Sequence, residues 1–205
     1  MDPKAMFSIS YGLYIVCSEQ DGRDNGCVTN TLGQVTSTPN QVSLTVNKAN
    51  LTHGMIFATN RFTASVVSQD ASFDLFRHFG FQSGREVDKF ASYTDCYRGG
   101  NGVMTVTGGT NAWLSAWVTQ KIDLGTHTLF IATVTDMEQL TQTPSATYTY
   151  YQQHIKPRPQ PAAPKGKTVW RCRICGYEIE TEELPDDFIC PICKHGKSDF
   201  EKVTV

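Results

Sequence analysis

The sequence predicts a mostly β protein in which an antiparallel β-barrel domain precedes a small metal-binding domain. Three observations lead to this prediction. Short apolar segments separated by turn residues fill residues 1–155. A segment with four prolines and four basic residues follows at 156–167, a composition typical of an extended, semi-rigid linker. Two Cys-x-x-Cys pairs then lie within residues 168–205.

Alternating apolar residues predict the strands of the larger domain. Val42, Leu44 and Val46 alternate with polar residues, as in a strand with one buried face. Trp113–Ile122 and Thr128–Val134 flank a hairpin turn at residues 123–126. Further strands are predicted at Phe7–Val16, Ala64–Val67 and Thr147–Tyr151.

Three short helices interrupt these strands. The predicted spans are 50–58, 72–79 and 83–90, with Asn50 and Ser72 as N-caps and Ser83–Glu86 as a capping box. Few helices among many strands favour an antiparallel barrel over a doubly wound sheet.

The metal-binding prediction depends on Cys172, Cys175, Cys190 and Cys193. Each Cys-x-x-Cys turn directs two sulfurs to one point, and a tetrahedral S4 site holds zinc or iron. A domain as small as residues 168–205 has too little hydrophobic core to fold without a bound metal ion. The other cysteines, Cys17, Cys27 and Cys96, are predicted to be small buried apolar residues.

The sequence around these cysteines favours iron. Trp170, Tyr177, Phe188 and Phe200 predict an aromatic core beside the metal, and Gly176 permits a tight turn. The segments 170–177 and 184–193 closely resemble rubredoxin, with a shortened connection as in rubrerythrins. The resemblance implies one-electron transfer at iron. Zinc, which would be structural, remains the alternative.

Composition excludes several classes of function. The net charge of −2, without a basic stripe, argues against nucleic-acid binding. Residues 168–205 carry eight acidic and five basic residues, which would favour a redox partner with a basic face.

No membrane span or signal peptide is apparent, so a cytoplasmic protein is expected. Dinucleotide-fold, P-loop and nucleophile-elbow motifs are missing.

A second resemblance covers most of residues 6–150. The segments 30–39, 42–48, 52–53, 83–90 and 127–131, in this order, resemble the flavin reductase-like, FMN-binding split-barrel family. This resemblance implies a six-stranded Greek-key split β-barrel, a homodimer, and FMN bound near the subunit interface.

The same resemblance implies the cofactor-binding residues. Asn30, Thr31 and Leu32 are expected along the isoalloxazine. Lys48, Asn50, Thr52 and His53 are expected around the phosphate, where Arg85 could add a positive charge. Further cofactor-binding residues are expected at Gln34, Thr36, Asn47, Ser83 and Gly84. His127 is expected on the nicotinamide side as a catalytic residue.

The complete arrangement is similar to the high-molecular-weight rubredoxins, fusions of a flavin reductase with a rubredoxin. The resemblance implies electron flow from NAD(P)H through FMN and iron to an acceptor protein such as a flavodiiron protein. Two alternatives remain: an FMN and iron carrier that another protein reduces, and a zinc-ribbon interaction protein on an empty barrel.

Overall fold

The computed structural model describes residues 2–157 and 168–204. Contacts divide the chain into two compact units, residues 1–155 and 156–205. All but the first two residues of the predicted linker at 156–167 lie outside the described residues. None of the described helices combines the length and the apolar character that crossing a membrane requires.

One antiparallel sheet dominates the first unit. Its strands run in the order β2-β1-β5-β8-β9-β4-β3, and β6 and β7 form a separate ribbon. The strand bounds are β1 Tyr14–Gln20, β2 Arg23–Thr29, β3 Leu32–Ser37, β4 Asn40–Asn47, β5 Arg61–Val67, β6 Cys96–Arg98, β7 Met104–Val106, β8 Thr110–Asp123 and β9 His127–Gln139.

This sheet curls around an apolar core. Val16 of β1 and Leu44 of β4 pack in the same cluster with Phe62 and Phe130, although β1 and β4 are not neighbours in the sheet. Strand β4 alternates as predicted, with Val42, Leu44 and Val46 buried. The mostly β fold class is confirmed, but the sheet has seven strands where six were expected.

Two of the three predicted helices are present. Helix α1 spans Leu51–Thr59 behind the N-cap Asn50, and helix α2 spans Phe73–Gly80 behind Ser72. Helix α1 ends at Asn60 in the left-handed region, where Asn is one of the few residues that fit readily. Helix α2 packs Leu75, Phe76 and Phe79 into a second cluster on the outer side of β1.

The predicted helix at 83–90 is wrong. Residues 83–87 form a single turn in which the Ser83 carbonyl accepts from the backbone N–H groups of Glu86 and Val87. The Gly84 carbonyl instead accepts from Arg23, and the Lys89 ammonium binds two distant carbonyls. The Gly84 carbonyl is a group that a longer helix would need, and the Lys89 contacts fix the end of the segment elsewhere, so tertiary contacts override the local capping signal.

The strands predicted at Phe7–Val16 and Thr147–Tyr151 also need correction. Residues Pro3–Ser8 form a 3-10 helix, and β1 begins only at Tyr14. Tyr148–Tyr150 is helical (α3) and Tyr151–Ile155 continues as a π-helical turn. The Thr147 hydroxyl caps this segment, and the Tyr151 ring packs on Phe76 with centroids 4.3 Å apart. Capping and burial therefore outweigh the β propensity of this segment.

The second unit is a small three-stranded sheet beside the cysteines. Strands β10 Thr168–Cys172, β11 Glu178–Glu180 and β12 Phe200–Thr204 pair in the order β11-β10-β12. The predicted aromatic core is present: Trp170, Tyr177, Phe188 and Phe200 pack in one cluster with the cysteines. The Phe188 and Phe200 rings meet edge to face at 5.3 Å.

Candidate metal centre and cofactor-binding site

The four predicted cysteines converge on one point. Their sulfurs all lie within 4.8 Å of one another, and the Cys172–Cys193 and Cys175–Cys190 pairs are each 3.5 Å apart. Thiolates about 2.3 Å from a tetrahedral ion lie about 3.8 Å apart. Cys172 and Cys190 are buried, whereas Cys175 and Cys193 are partly exposed. The donor set therefore fits one tetrahedral metal ion with an exposed side.

Two equivalent turns hold the cysteines. In the first, the Gly176 N–H donates to the Cys172 carbonyl at 2.9 Å; in the second, the Lys194 N–H donates to the Cys190 carbonyl at 2.9 Å. Both donors have positive φ, 79° at Gly176 and 60° at Lys194. The sequence signalled this geometry only in the first turn, through its glycine.

Backbone N–H groups surround the sulfurs. Tyr177 and His195, two residues beyond the second cysteine of each turn, direct their amides at Cys175 and Cys193. The Ile192 and Cys193 amides are directed at Cys190. Such hydrogen bonds stabilise thiolate charge and set the potential of an iron–sulfur site.

The first turn of α1 forms one wall of a cavity of about 210 Å³. A helix N-terminus leaves backbone N–H groups free and favours negative charge. The Asn50 side chain makes no capping bond within the helix. Of the expected residues, the cavity brings together Asn50, Thr52, Ser83, Gly84 and Arg85.

The loop at 83–85 forms the facing wall. The Arg85 guanidinium donates to the Ala49 carbonyl at 2.8 Å, immediately before α1. A Cβ atom on Gly84 would overlap Asn25 Oδ1, so only glycine fits without displacing Asn25. The loop thus places the positive charge of Arg85 at the start of α1. A larger residue at position 84 would displace Asn25 from the cavity wall.

Lys48 and His53 line a different cleft, of about 370 Å³, with Phe57, Lys121 and Thr128. The Lys48 ammonium lies 2.7 Å from Asp123 Oδ1, and this ion pair holds the pKa of the Asp123 carboxyl below its usual value. His53 Nε2 lies 2.8 Å from Thr128 Oγ1. Burial, reinforced by the charge of Lys48, lowers the pKa of His53.

The expected cofactor-binding residues between positions 30 and 36 lie at two ends of the β3–β4 hairpin. The Thr31 carbonyl accepts from the Thr45 N–H, so Asn30, Thr31 and Leu32 lie toward the α1 end of β4. Gln34 and Thr36 lie toward the opposite end, paired with Val42 and Gln41. The Gln34 side chain donates to Asn40, and the Thr36 hydroxyl donates to the Pro39 carbonyl at 2.5 Å.

His127 lies at the start of β9, directly opposite Asn47 at the end of β4. Its Nδ1 atom is 2.8 Å from the Thr126 hydroxyl, and its ring is half-buried. Asn47 Oδ1 accepts from the Ala49 N–H at 2.9 Å, which shapes the turn into α1. Both residues therefore lie at the end of the sheet where α1 begins.

The sequence did not predict several residues that line the α1 cavity, among them Asn25, Cys27 and Lys89. Asn25 and Cys27 lie on β2, for which no strand was predicted, and Lys89 lies in the segment predicted as a helix. Phe57 and Lys121 of the second cleft were also missed; the Lys121 ammonium lies 4.3 Å from the centre of the Phe57 ring. No local motif distinguishes any of these residues.

The α1 cavity fits a flavin side chain chemically. Arg85, Lys89 and the helix start suit a phosphate, and the buried Asn25 Oδ1 lacks a hydrogen-bond partner among the described residues. A polyhydroxyl chain ending in a phosphate would supply both a donor and a negative charge. The metal site fits iron by its four sulfur donors.

Comparison with known proteins supports both halves of this description. Residues 6–158 match the family model for the flavin reductase like domain, and residues 170–201 match that for the rubrerythrin, rubredoxin-like domain. The chain therefore belongs to the flavin reductase-like family and carries a rubredoxin-like domain at its C-terminal end.

One full-length relative shares this two-domain organisation, and a second resembles this chain over about three quarters of its length. The chain is 37% identical to the high molecular weight rubredoxin of Moorella thermoacetica, over 99% of this chain and 100% of that protein. It is 38% identical to the ferric-chelate reductase (NAD(P)H) of Archaeoglobus fulgidus, over 74% of this chain and 89% of that protein. Its two-domain organisation is that of the first of these relatives.

Solved structures agree with the fold of the first unit. An NADH:FAD oxidoreductase of Streptomyces globisporus aligns with a TM-score of 0.64 at 21% identity, covering 70% of this chain and 84% of that one. An FMN-binding protein of Thermus thermophilus aligns with a TM-score of 0.61 at 24% identity, covering 68% and 76%. These structures have the flavin reductase-like fold and differ widely in sequence from this chain.

Proposed function

We propose that this protein is an electron-transfer flavoprotein that passes electrons from NAD(P)H through FMN to a four-cysteine iron centre and on to an acceptor protein. The observation that carries the proposal is the presence, in one chain, of a flavin reductase-like barrel and a convergent four-thiolate site. A flavin can link a two-electron donor to a one-electron centre, because it exchanges electrons either in pairs or one at a time.

The proposed FMN lies along the end of the sheet where α1 begins. Asn50, Thr52, Ser83, Gly84 and Arg85 would hold its phosphate end, because they line the cavity at the start of α1. Lys48 and His53 would lie along the neighbouring cleft. The ring would extend past the residues at the α1 end of β3 and β4, which are Asn30, Thr31, Leu32 and Asn47.

Gln34 and Thr36 are less directly placed for this role. They lie farther along β3, where their side chains already bond to neighbours in the hairpin. We therefore assign them to the outer edge of the proposed site. His127, opposite Asn47, would orient the donor's nicotinamide amide through the ring nitrogen that faces away from Thr126.

The four-cysteine iron centre would act only as an electron carrier. Four thiolates fill a tetrahedral site and leave no position for a substrate. The acidic surface of residues 168–205 suits an acceptor with a basic face, for which a flavodiiron protein reducing O2 or NO is our candidate. Reduced cysteines are typical of the cytoplasm, where we place the protein, in an anaerobic host.

We also propose a homodimer formed through the barrel unit. Large apolar side chains are exposed on this unit at Phe57, Trp117, Ile122 and Leu124. Trp113 and Trp117 project from the face of β8 opposite Leu114 and Ala116, which pack in or against the barrel core. Phe57 also lines the second cleft, and exposed large apolar side chains are typical of protein–protein interaction surfaces.

Anaerobic reduction tests the proposed function. NADH and NADPH are each mixed with the iron- and FMN-loaded protein while flavin and ferric–thiolate absorbance are followed. We expect at least one nucleotide to bleach the flavin band first and the iron band afterwards. Bleaching by neither nucleotide would exclude the pyridine-nucleotide part of the proposal.

A second candidate is an FMN and iron carrier that another protein reduces. The similarity in fold to the FMN-binding protein of Thermus thermophilus favours this candidate. Loaded protein that is bleached by dithionite but by neither nucleotide would support it. Colourless protein that contains zinc would instead indicate an interaction protein.

A further inference from the structure

The two metal turns differ in what their equivalent residues face. In the first metal turn, Ile174 and Tyr177 pack against the apolar cluster of the small unit. Their counterparts in the second metal turn, Ile192 and His195, are exposed to solvent. Ile189, directly before the second turn, is 60% exposed. The second metal turn is therefore the side of the metal site that faces away from the packed core of its unit.

Lys194 occupies the position in the second metal turn that Gly176 occupies in the first. Both residues have positive φ, and both donate the backbone hydrogen bond that closes their turn. A residue with a Cβ atom is disfavoured in this left-handed conformation, whereas glycine adopts it freely. The backbone geometry of the turn therefore does not explain the lysine, and backbone strain of this kind is often associated with function.

The charge of Lys194 is not neutralised by any group that the structure describes. Its side chain is exposed and makes no ion pair or side-chain hydrogen bond with a described residue. The nearby cations differ in this respect. The Lys197 ammonium pairs with Asp186 at 2.6 Å, and the Arg173 guanidinium donates to the Ser198 carbonyl. An unpaired positive charge is thus carried by the exposed metal turn itself.

This charge lies close enough to the metal site to act on it electrostatically. Lys194 directly follows Cys193, and its N–H is bonded to the Cys190 carbonyl at 2.9 Å. A lysine side chain is too short to carry its ammonium much beyond the Debye length of about 10 Å from the sulfurs. With four thiolate ligands, the ferrous centre carries one more negative charge than the ferric centre. A positive charge nearby therefore stabilises the reduced state more than the oxidised state.

We propose that Lys194 raises the reduction potential of the four-cysteine iron centre. The inference rests on the proposed function, because an ion without redox activity has no potential to adjust. In the proposed transfer one electron from the reduced flavin converts ferric to ferrous iron, and all four iron–sulfur bonds are kept. By stabilising the ferrous state, Lys194 favours transfer in this direction.

Redox titration of the iron-loaded full chain tests the proposal. The ferric–thiolate absorbance is followed without air against a one-electron dye of known potential. In Lys194→Gln we expect the ratio of reduced to oxidised iron at a fixed potential to fall about two- to fivefold, or about 20–40 mV at 59 mV per tenfold. The difference should shrink at high salt. Equal midpoint potentials in wild type and Lys194→Gln at low salt would overturn the inference.

Two control variants show whether the charge is responsible. Lys194→Arg keeps the charge and should stay within about 1.5-fold of the wild-type ratio. Lys202→Gln removes a charge from the same unit, at a side chain whose ammonium binds the Glu182 carbonyl at 3.0 Å. Because that ammonium is held by another part of the unit, this change should also stay within about 1.5-fold. A shift in Lys194→Arg or Lys202→Gln as large as that in Lys194→Gln would contradict the assignment.

Lys194→Gly separates the charge from the backbone strain and keeps the test decisive if Lys194→Gln does not fold. Its potential should fall as in Lys194→Gln, whereas its iron should be released to a chelator about two- to tenfold more slowly than in wild type, because the strain is relieved. Slower release with an unchanged potential would show a purely structural role and overturn the inference. Wild-type protein that takes up zinc but no iron, or whose iron dithionite does not reduce, would instead overturn the proposed function.

Discussion

The Nε2 atom of His53, in the first turn of α1, lies 2.8 Å from the Oγ1 atom of Thr128 in β9. This bond ties the helix to the curled sheet beside the proposed flavin. The His53 ring also stacks on Phe57 at 5.9 Å and packs against Phe130 at 5.6 Å. A neutral imidazole suits this apolar setting, and the lowered pKa of His53 reflects the cost of charging it.

A pH-dependent stability follows from this relationship. Because the pKa of His53 is lower in the folded than in the unfolded protein, the unfolded state gains the proton first. The stability that the neutral His53 contributes is fully present above its pKa in the unfolded chain, which is about 6.5. This contribution is lost as the pH decreases below that value. We expect the melting temperature of wild type to fall more steeply than that of His53→Gln between pH 7.5 and 5.5. His154→Gln, at an exposed position, should keep the wild-type slope. Equal slopes in all three proteins would contradict the assignment.

The ion pair between Lys48 and Asp123 predicts opposite effects of its two partners. Lys48→Met should weaken FMN binding, because it removes a positive charge from the cleft. Asp123→Asn should strengthen it, because the positive charge of the lysine in the cleft is then no longer neutralised. Exposed ion pairs of this kind are weak and are screened by solvent, so each change should be within about fivefold. Titrations at low and high salt provide the measurement, and both effects should shrink at high salt. Shifts of the same sign would show that Lys48 does not face the cofactor.

The missing Cβ atom of Gly84 predicts a steric effect on the cavity. In Gly84→Ala the new methyl would displace Asn25 and disturb its bond to Thr52. We expect a loss of about 1–3 kcal/mol in unfolding free energy, together with weaker FMN binding. Urea denaturation and flavin titration measure the two effects. Gly100→Ala is the control, because a Cβ there has nothing within 4 Å. Matching behaviour of the two variants would contradict this prediction.

The metal centre predicts selective loss of iron. Cys190→Ser replaces a buried ligand and should reduce bound iron well below one atom per chain, with loss of the ferric–thiolate absorbance. Cys96→Ser changes a cysteine of the barrel unit, whose thiol contacts the Tyr93 carbonyl, and should leave iron content unchanged. Metal analysis by mass spectrometry checks both variants. Full iron content in Cys190→Ser would exclude Cys190 as a ligand.

The positive φ of Gly176 predicts strain in the first metal turn. At φ of 79° an alanine costs about 1–2 kcal/mol, although a Cβ there meets no atom within 4 Å. Gly176→Ala should therefore release iron to a chelator faster than wild type. Gly196→Ala has equal space around its Cβ but a φ of −80°, and should behave as wild type. Release at the wild-type rate in both variants would show that the turn tolerates alanine.

Local sequence patterns predicted the elements whose contacts are close along the chain. The β8–β9 hairpin forms around residues 123–126, with Leu124 N–H bonded to the His127 carbonyl. Helices α1 and α2 begin behind Asn50 and Ser72 as expected. The helix predicted from the capping box at Ser83 does not form. Two groups distant in sequence, the Arg23 guanidinium and the Phe79 carbonyl, bind Gly84 and Lys89 of this segment instead.

The sequence by itself predicted the four cysteines that converge, the aromatic residues that pack beside them and the mostly β character of the chain. The cysteine turns and the strands arise from residues a few positions apart, whose geometry is set by local turns and by side-chain alternation. Only the tertiary structure decided that Asn25, Gly84 and Lys89 meet at the start of α1, and that Lys48 and His53 lie in a neighbouring cleft. Those juxtapositions depend on how the sheet curls and on which buried hydrogen bonds the packed chain can satisfy, and no spacing along the sequence records either.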